Sequence, residues 1–295
     1  MQKTNFPFEI IIHDDASTDK TLDILKEYEL KYPNIIKVIY QKENQYSKRV
    51  KGIMARFTFP HARGKYIAMC EGDDYWTDPL KLQKQVDYMS GHEDCNLVFT
   101  DVQLLEGTEN KRYPNWASIT KDTYEFKDLA ERNVITTCTV LFRNPYQNNE
   151  IQNWLEHFNI GDYPLYLFLL RSGYAYFLKD ITAVYRQHSG GIFSLKGIEH
   201  LINKNIEVLE AIEKLELTKQ QLFYVRKSLM KWHYTKVVRM SSNLHFYEIR
   251  PYIIKHLKWS DVRYSQKYFM KTMCLFLYPK LKAGAFKKLE IIPSN

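Results

Sequence analysis

No apolar run in this sequence of 295 residues is long enough to cross a membrane, which takes about 18–20 residues. The nearest candidate, Tyr268 to Tyr278, is short and is interrupted by Lys271, so it reads as a packed helix or an interfacial segment. No signal peptide is visible, because Met1-Gln2-Lys3-Thr4-Asn5 leads straight into a strand pattern. The four cysteines, Cys70, Cys95, Cys138 and Cys274, lack the paired spacing of a zinc site. Three of them sit in apolar runs, which points to reduced core residues of a cytosolic protein. There is no internal repeat and no low-complexity segment. A sequence pI near 9.0 comes without any nucleic-acid-binding motif, which argues against a nucleic-acid partner.

What is present is ordinary globular composition with an uneven charge. Hydrophobic residues make up 45% and charged residues 26%, enough to build and solvate one large domain with an appendage. Residues 1–199 carry 24 Lys and Arg against 27 Asp and Glu, whereas residues 200–295 carry 18 against 7. The division expected is a domain over 1–199 and a basic, helical C-terminal region over 200–295. Such a tail suits a solvated helical surface equally well as an anionic one, for example the cytoplasmic membrane face.

Along the front part, strand and helix patterns alternate. Phe8 to His13 is a β-branched run that predicts a buried strand, and Leu22, Leu25 and Tyr28 recur at helical spacing behind the cap residues Ser17, Thr18 and Asp19. Ile35 to Tyr40 predicts the next strand, followed by a helix near Val50 to Phe59 and a strand from Tyr66 to Cys70. Asp78-Pro79 predicts a helix start, with Leu82, Val86 and Met89 facing inward. Further strands are expected at Asn96 to Val102, Thr136 to Arg143, Tyr174 to Leu178 and Ile181 to Tyr185. A short helix is expected over Leu165 to Leu170, closed by Gly173. After His200 two apolar stripes, one through Ile202, Ile206 and Leu209 and one through Leu222, Val225, Leu229 and Trp232, predict packed helices. The alternation implies an α/β fold with a mostly parallel sheet flanked by helices, in which ligands bind at strand carboxyl ends.

Two acidic clusters sit at such ends: Asp14-Asp15, and Glu71-Gly72-Asp73-Asp74. Carboxylates this close repel one another, and burial raises the cost. A divalent cation would relieve it, and oxygen ligands with no Cys or His beside them suit Mg²⁺ or Mn²⁺. A solvated acidic turn is the plainer alternative.

Four segments then line up: Ile11 to Asp19, Gly64 to Trp76, Gly161-Asp162-Tyr163-Pro164-Leu165, and Tyr185-Arg186-Gln187-His188-Ser189-Gly190-Gly191. In that order and spacing they resemble the family 2 glycosyltransferases of the GT-A (Rossmann-like) fold, above all bacterial members acting on surface polysaccharides. The resemblance runs from about residue 5 to residue 195. It implies an inverting, metal-dependent transfer from a nucleotide sugar, a UDP-sugar first, to a hydroxyl of a glycan or lipid-linked acceptor. It implies Asp162 as the general base. Asp14 or Asp15 would accept from the donor base, and Glu71, Asp73, Arg186 and His188 would complete donor binding. Asp73, Asp74 and His188 would hold Mn²⁺ or Mg²⁺. Glu71 stands where the commoner residue is Asp. Arg63 and Lys65 are further phosphate candidates. The enzyme would work in the cytoplasm, peripherally at the inner membrane face through the basic helices.

The family's opening strand and helix have no counterpart before Met1. That predicts an unpaired strand edge beside Phe8 to His13 and an N-terminally truncated domain with impaired donor binding. The second reading is therefore a catalytically impaired remnant serving as a binding or assembly module.

Overall fold

The computed structural model describes residues 2–106, 109–111, 119–146, 150–159, 161–188 and 197–240. The chain divides into two compact units, Met1–Gln187 and His188–Asn295.

The first unit opens with a βαβ element. Strand β1 (Ile10–Asp14) and strand β2 (Ile36–Tyr40) pair in parallel from Ile10 opposite Ile36 to Asp14 opposite Tyr40, joined by helix α1 (Thr21–Lys31). A parallel pair needs such a crossover. Glu29 on α1 latches the two together: its carboxylate accepts the Val38 N–H at 3.0 Å and the Tyr40 hydroxyl at 3.1 Å. The expected burial is only partly met. Ile10 is 41% exposed, no residue of α1 is fully buried, and among the described residues the other edge of β1 pairs with no strand.

The main sheet has the order β3-β8-β5-β9-β4, built from Tyr66–Ala68, Leu141–Arg143, Cys95–Glu106, Tyr174–Gln187 and Tyr75–Trp76 respectively. Short strands β6 (Glu109–Lys111) and β7 (Thr123–Tyr124) attach to β5 and β9. The longest ladder, β5 with β9, is parallel and runs from Cys95 opposite Tyr174 to Glu106 opposite Gln187. The antiparallel ladders have two or three positions each. Taken together with the β1–β2 pair, more paired positions are parallel than antiparallel, as an α/β alternation implies.

Helix α2 (Lys81–Ser90) covers this sheet with Leu82 and Met89 buried and Val86 half-buried, the face its spacing predicts. Leu82 and Met89 pack with Cys95, Val98 and Leu141. Asp78 and Pro79 lie ahead of this helix instead of starting it: Asp78 Oδ1 accepts the Leu80 N–H at 2.8 Å in a turn, and the helix starts at Lys81 with Leu80 at its N-cap. Helices α3 (Phe126–Glu131), α4 (Glu150–Leu155) and α5 (Asp162–Leu169) complete the unit. Gly173, at φ +72°, turns the chain from α5 into β9, and a Cβ there would collide with the Asp94 carbonyl.

Three expectations are corrected. The strand pattern at 136–143 splits into a 3₁₀ turn, Thr137–Thr139, and the short strand β8. Thr139 gives both its hydroxyl (2.7 Å) and its N–H (3.0 Å) to the Thr136 carbonyl, a local bond that competes with the ladder. The two strands read at 174–178 and 181–185 are one strand with register shifts. The helix near 50–59 is a π-helical turn, Met54–Thr58, followed by a 3₁₀ turn at Pro60, whose ring cannot donate to a regular helix. Of the described cysteines, Cys95 and Cys138 are buried and Cys70 is exposed.

In the second unit, helices α6 (Gly197–Ile212) and α7 (Lys219–Met240) pack through Ile202, Ile206, Leu209, Ile212, Val225, Leu229 and Trp232. These are the two predicted stripes. The remaining basic tail, Tyr268 to Tyr278 included, lies outside the described residues. No helix among the described residues is long and apolar enough to cross a membrane.

Lys81 is fully buried under the sheet. Its ammonium donates to Gln85 Oε1 at 2.8 Å and lies 4.5 Å from the centroid of the Trp76 ring. Burial pulls its pKa from 10.5 to about 7. The unfolded chain therefore holds a proton that the folded chain releases between pH 7 and 10.5, and this group adds stability as pH rises through that window. Replacing it with Met, as Lys81→Met, should remove that slope, which is at most about 1.4 kcal/mol per pH unit. Urea unfolding at pH 7 and pH 9 checks this: the wild type should gain on the variant at the higher pH, and a constant difference would contradict the assignment.

Candidate active site

The acidic turn leaves the end of β3 and folds back on itself through an Asp74 N–H to Glu71 carbonyl bond of 3.1 Å. Its members have different surroundings. Asp73 is exposed and Asp74 is buried. Asp74 Oδ1 accepts the Arg186 N–H of β9 at 2.9 Å. Its Oδ2 is buried with no hydrogen-bond partner of good geometry, close to the Cys138 thiol and the Glu71 carboxyl. Burial raises the Asp74 pKa and the Arg186 N–H opposes this.

Glu71 keeps an exposed surface but sits where protein atoms crowd its carboxyl. That desolvation, with the Asp74 charge next, pushes its pKa up to about 8. The Thr137 hydroxyl is within its reach, and the Asp162 charge adds to the rise. Most Glu71 side chains are therefore neutral at pH 7 and able to donate.

Asp162 is the first residue of α5, where free N–H groups favour a negative charge. Burial raises its pKa, while the N–H groups of Tyr163 and of Asp162 itself hold it back. Its Oδ2 accepts the Thr137 hydroxyl at 3.3 Å. Tyr166 lies four residues on, on the same helix face. It is fully buried, its hydroxyl has no partner of good hydrogen-bond geometry, and it faces Asp162, Glu71 and Thr137.

The structure thus brings Glu71, Asp74 and Asp162 into one place, with Thr137 between them. The other predicted residues make contacts of their own. At the end of β1, Asp15 is committed to its own loop: Oδ1 and Oδ2 accept the N–H groups of Gln45 (2.7 Å) and Tyr46 (2.9 Å). Asp14 is buried, accepts a long bond from the Ser17 N–H at 3.4 Å, and leaves Oδ1 unpartnered. Arg186 places its guanidinium 5.0 Å from the centroid of the Tyr75 ring. His188 is exposed and opens the second unit; Ser189, Gly190 and Gly191 lie outside the described residues. Arg63 is taken by an ion pair with Glu9 at 2.8 Å, and Lys65 lies over Tyr66.

Among the described residues no three His, Cys, Asp or Glu side chains form a ready cation cage. The fit is nevertheless good for an ion that takes one or two carboxylates and completes its shell with water and phosphate, as Mg²⁺ does. The buried, unpartnered Asp74 Oδ2 is the atom such an ion would satisfy.

The family model described as glycosyl transferase family 2 matches residues 1–149. The chain belongs to this family. An uncharacterized protein of Mycobacterium tuberculosis is 36% identical over 200 residues, 65% of this chain and 54% of that protein, so the chain spans about half the length of that relative. TuaG of Bacillus subtilis, named for a glycosyltransferase of teichuronic acid biosynthesis, is 30% identical over 223 residues, 74% of this chain and 82% of TuaG. A mannosyltransferase of Pyrobaculum calidifontis, solved with GDP-mannose and Mn²⁺, has a TM-score of 0.50 at 13% identity, covering 94% of this chain and 81% of its own. That likeness is one of fold, and it agrees with the GT-A architecture.

Thr137, Tyr166 and Cys138 were not singled out from sequence as site residues. Tyr166 carried a usable signal, since it lies four positions after Asp162 in a helix. Thr137 carried none, because Thr136-Thr137-Cys138-Thr139 reads as strand.

Glu71 supplies a stability test. Its folded pKa of about 8 exceeds the usual 4.5, so the folded state holds the extra proton and stability falls as pH rises between those values. Glu71→Gln should gain on the wild type across that window. Chemical denaturation at pH 5 and pH 8.5 reads it, and equal differences at both would show the carboxyl to be unperturbed.

Proposed function

We propose that this chain transfers a sugar, with inversion, from a nucleotide-sugar donor to a hydroxyl of a glycan or lipid-linked acceptor in the assembly of a cell-surface polysaccharide. The supporting observation is the meeting of the Glu71–Asp74 turn with Asp162, two segments some ninety residues apart, about the Thr137 hydroxyl.

Asp162 would accept the proton of the acceptor hydroxyl as its oxygen attacks the sugar. Burial raises its pKa, which makes it a better base, while the N–H groups at the helix start oppose that rise. Asp74, with Asp73 beside it, would hold Mn²⁺ or Mg²⁺, an ion that offsets the charge growing on the leaving diphosphate. Asp14 rather than Asp15 would accept from an N–H of the donor base, because only Asp14 has an oxygen to spare. Arg186 offers a cation near the same turn. Names of relatives point to polysaccharide chemistry, and a UDP-sugar is the first donor to try.

The test is nucleoside diphosphate release from UDP-, GDP- and dTDP-sugars with Mn²⁺, with and without lipid-linked or glycan acceptors. Asp162→Asn should lower turnover about 10²–10⁴-fold with little change in UDP affinity. Asp14→Asn should weaken nucleotide binding instead. Wild-type turnover in Asp162→Asn would remove the base assignment.

A further inference from the structure

The turn Thr137–Thr139 is fixed from one side by side chains that the proposed chemistry does not use. The Trp76 indole N–H donates to the Cys138 carbonyl at 2.8 Å. Gln85 Nε2 donates to the Thr139 carbonyl at 2.8 Å and to the Val98 carbonyl at 3.1 Å. Lys81 donates to Gln85 Oε1 at 2.8 Å, approaches the Val140 carbonyl at 3.5 Å and lies over the Trp76 ring. Three consecutive carbonyls, of residues 138, 139 and 140, are thereby held by residues of β4 and α2.

Lys81 and Gln85 are both fully buried and stand one helical turn apart. Burying an ammonium and an amide is costly, and two apolar residues would fill the space without that cost. What apolar residues would not supply is directional hold on backbone oxygens. The residue at the free end of this held turn is Thr137, and its hydroxyl hydrogen goes to Asp162 Oδ2 at 3.3 Å.

We propose that Thr137 is a positioning residue for the base, its hydroxyl fixing the Asp162 carboxylate, and that Trp76, Lys81 and Gln85 form the buried strut that fixes Thr137. This rests on the reading of Asp162 as base. The strut explains why the turn is 3₁₀ rather than strand: a ladder would commit these carbonyls to a neighbouring strand and swing the hydroxyl away.

A double-mutant cycle tests it, using the sugar nucleotide that turns over fastest in the panel above. Thr137→Val should lower kcat about tenfold, the worth of one hydrogen bond to a charged group, with the donor KM unchanged. Thr137→Ser should restore it. In Asp162→Asn, adding Thr137→Val should cost nothing further, because the partner is already gone. The acid limb of the kcat profile should move to higher pH in Thr137→Val and return in Thr137→Ser, since a bond to the charged carboxylate is lost and regained. Trp76→Phe, which deletes the indole N–H alone, should move both in the same direction by less. Additive losses in the cycle, or failure of Ser to rescue, would overturn the proposal while leaving the base assignment intact. A fully active Asp162→Asn would instead remove the base assignment itself. The same series read by the ¹³C shift of the Asp162 carboxyl, identified by its absence in Asp162→Asn, needs no turnover. An unchanged titration of that carbon in Thr137→Val would also overturn it.

Discussion

Carboxylates from distant parts of the chain can share one cleft only if each is given donors before it is given neighbours. Desolvation and mutual repulsion both oppose the arrangement. Here each acid is answered separately. Asp74 takes the Arg186 N–H from the adjoining strand. Asp162 takes the amides at the start of α5 and the Thr137 hydroxyl. Glu71 is answered by keeping its proton. None of these answers comes from a Lys or Arg ion pair. Backbone amides and a hydroxyl stabilise an anion without supplying a counter-charge.

The scaffold follows from that requirement. Arg186 can present its N–H because β9 runs antiparallel to β4, with Tyr75 opposite Val184 and Trp76 opposite Ala183. This pairing ties the strand after the acidic turn to the long central strand. Asp162 stays in place because α5 is anchored on its far side, where the Tyr163 hydroxyl donates to the Leu129 carbonyl at 2.9 Å. The Trp154 indole N–H donates to the Pro164 carbonyl at 3.0 Å. Both acids are thus carried on elements whose positions are set by bonds made away from the cleft.

How much of this a reader of the sequence could see depends on whether the signal was local. Strands β1, β2 and β5 and helices α1 and α2 announce themselves by β-branched runs and by helical spacing, and they lie where expected. The acidic turn and Asp162 were legible through spacing and resemblance together. What could not be read was set by tertiary contacts. The sequence Thr136 to Arg143 has the composition of a strand, yet Gln85 and Trp76, more than fifty positions earlier, claim its first carbonyls. Lys81 reads as a solvated first-turn lysine and is fully buried. Burial of β1 was expected from its Ile run, but that run meets partners on one edge only.

The Asp14-Asp15 pair shows the same limit at the scale of two atoms. Adjacent residues at a strand end point to opposite sides, so identical side chains meet different surroundings. Asp15 faces the loop after β2 and spends both oxygens on the amides of Gln45 and Tyr46. Asp14 faces inward, and one oxygen remains buried without a donor. A buried acceptor left open carries a desolvation cost, and Asp14 bears it where Asp15 does not. Glu71 applies the opposite solution. Its carboxyl reaches the Thr137 hydroxyl, and the protein atoms crowded about it favour the protonated form.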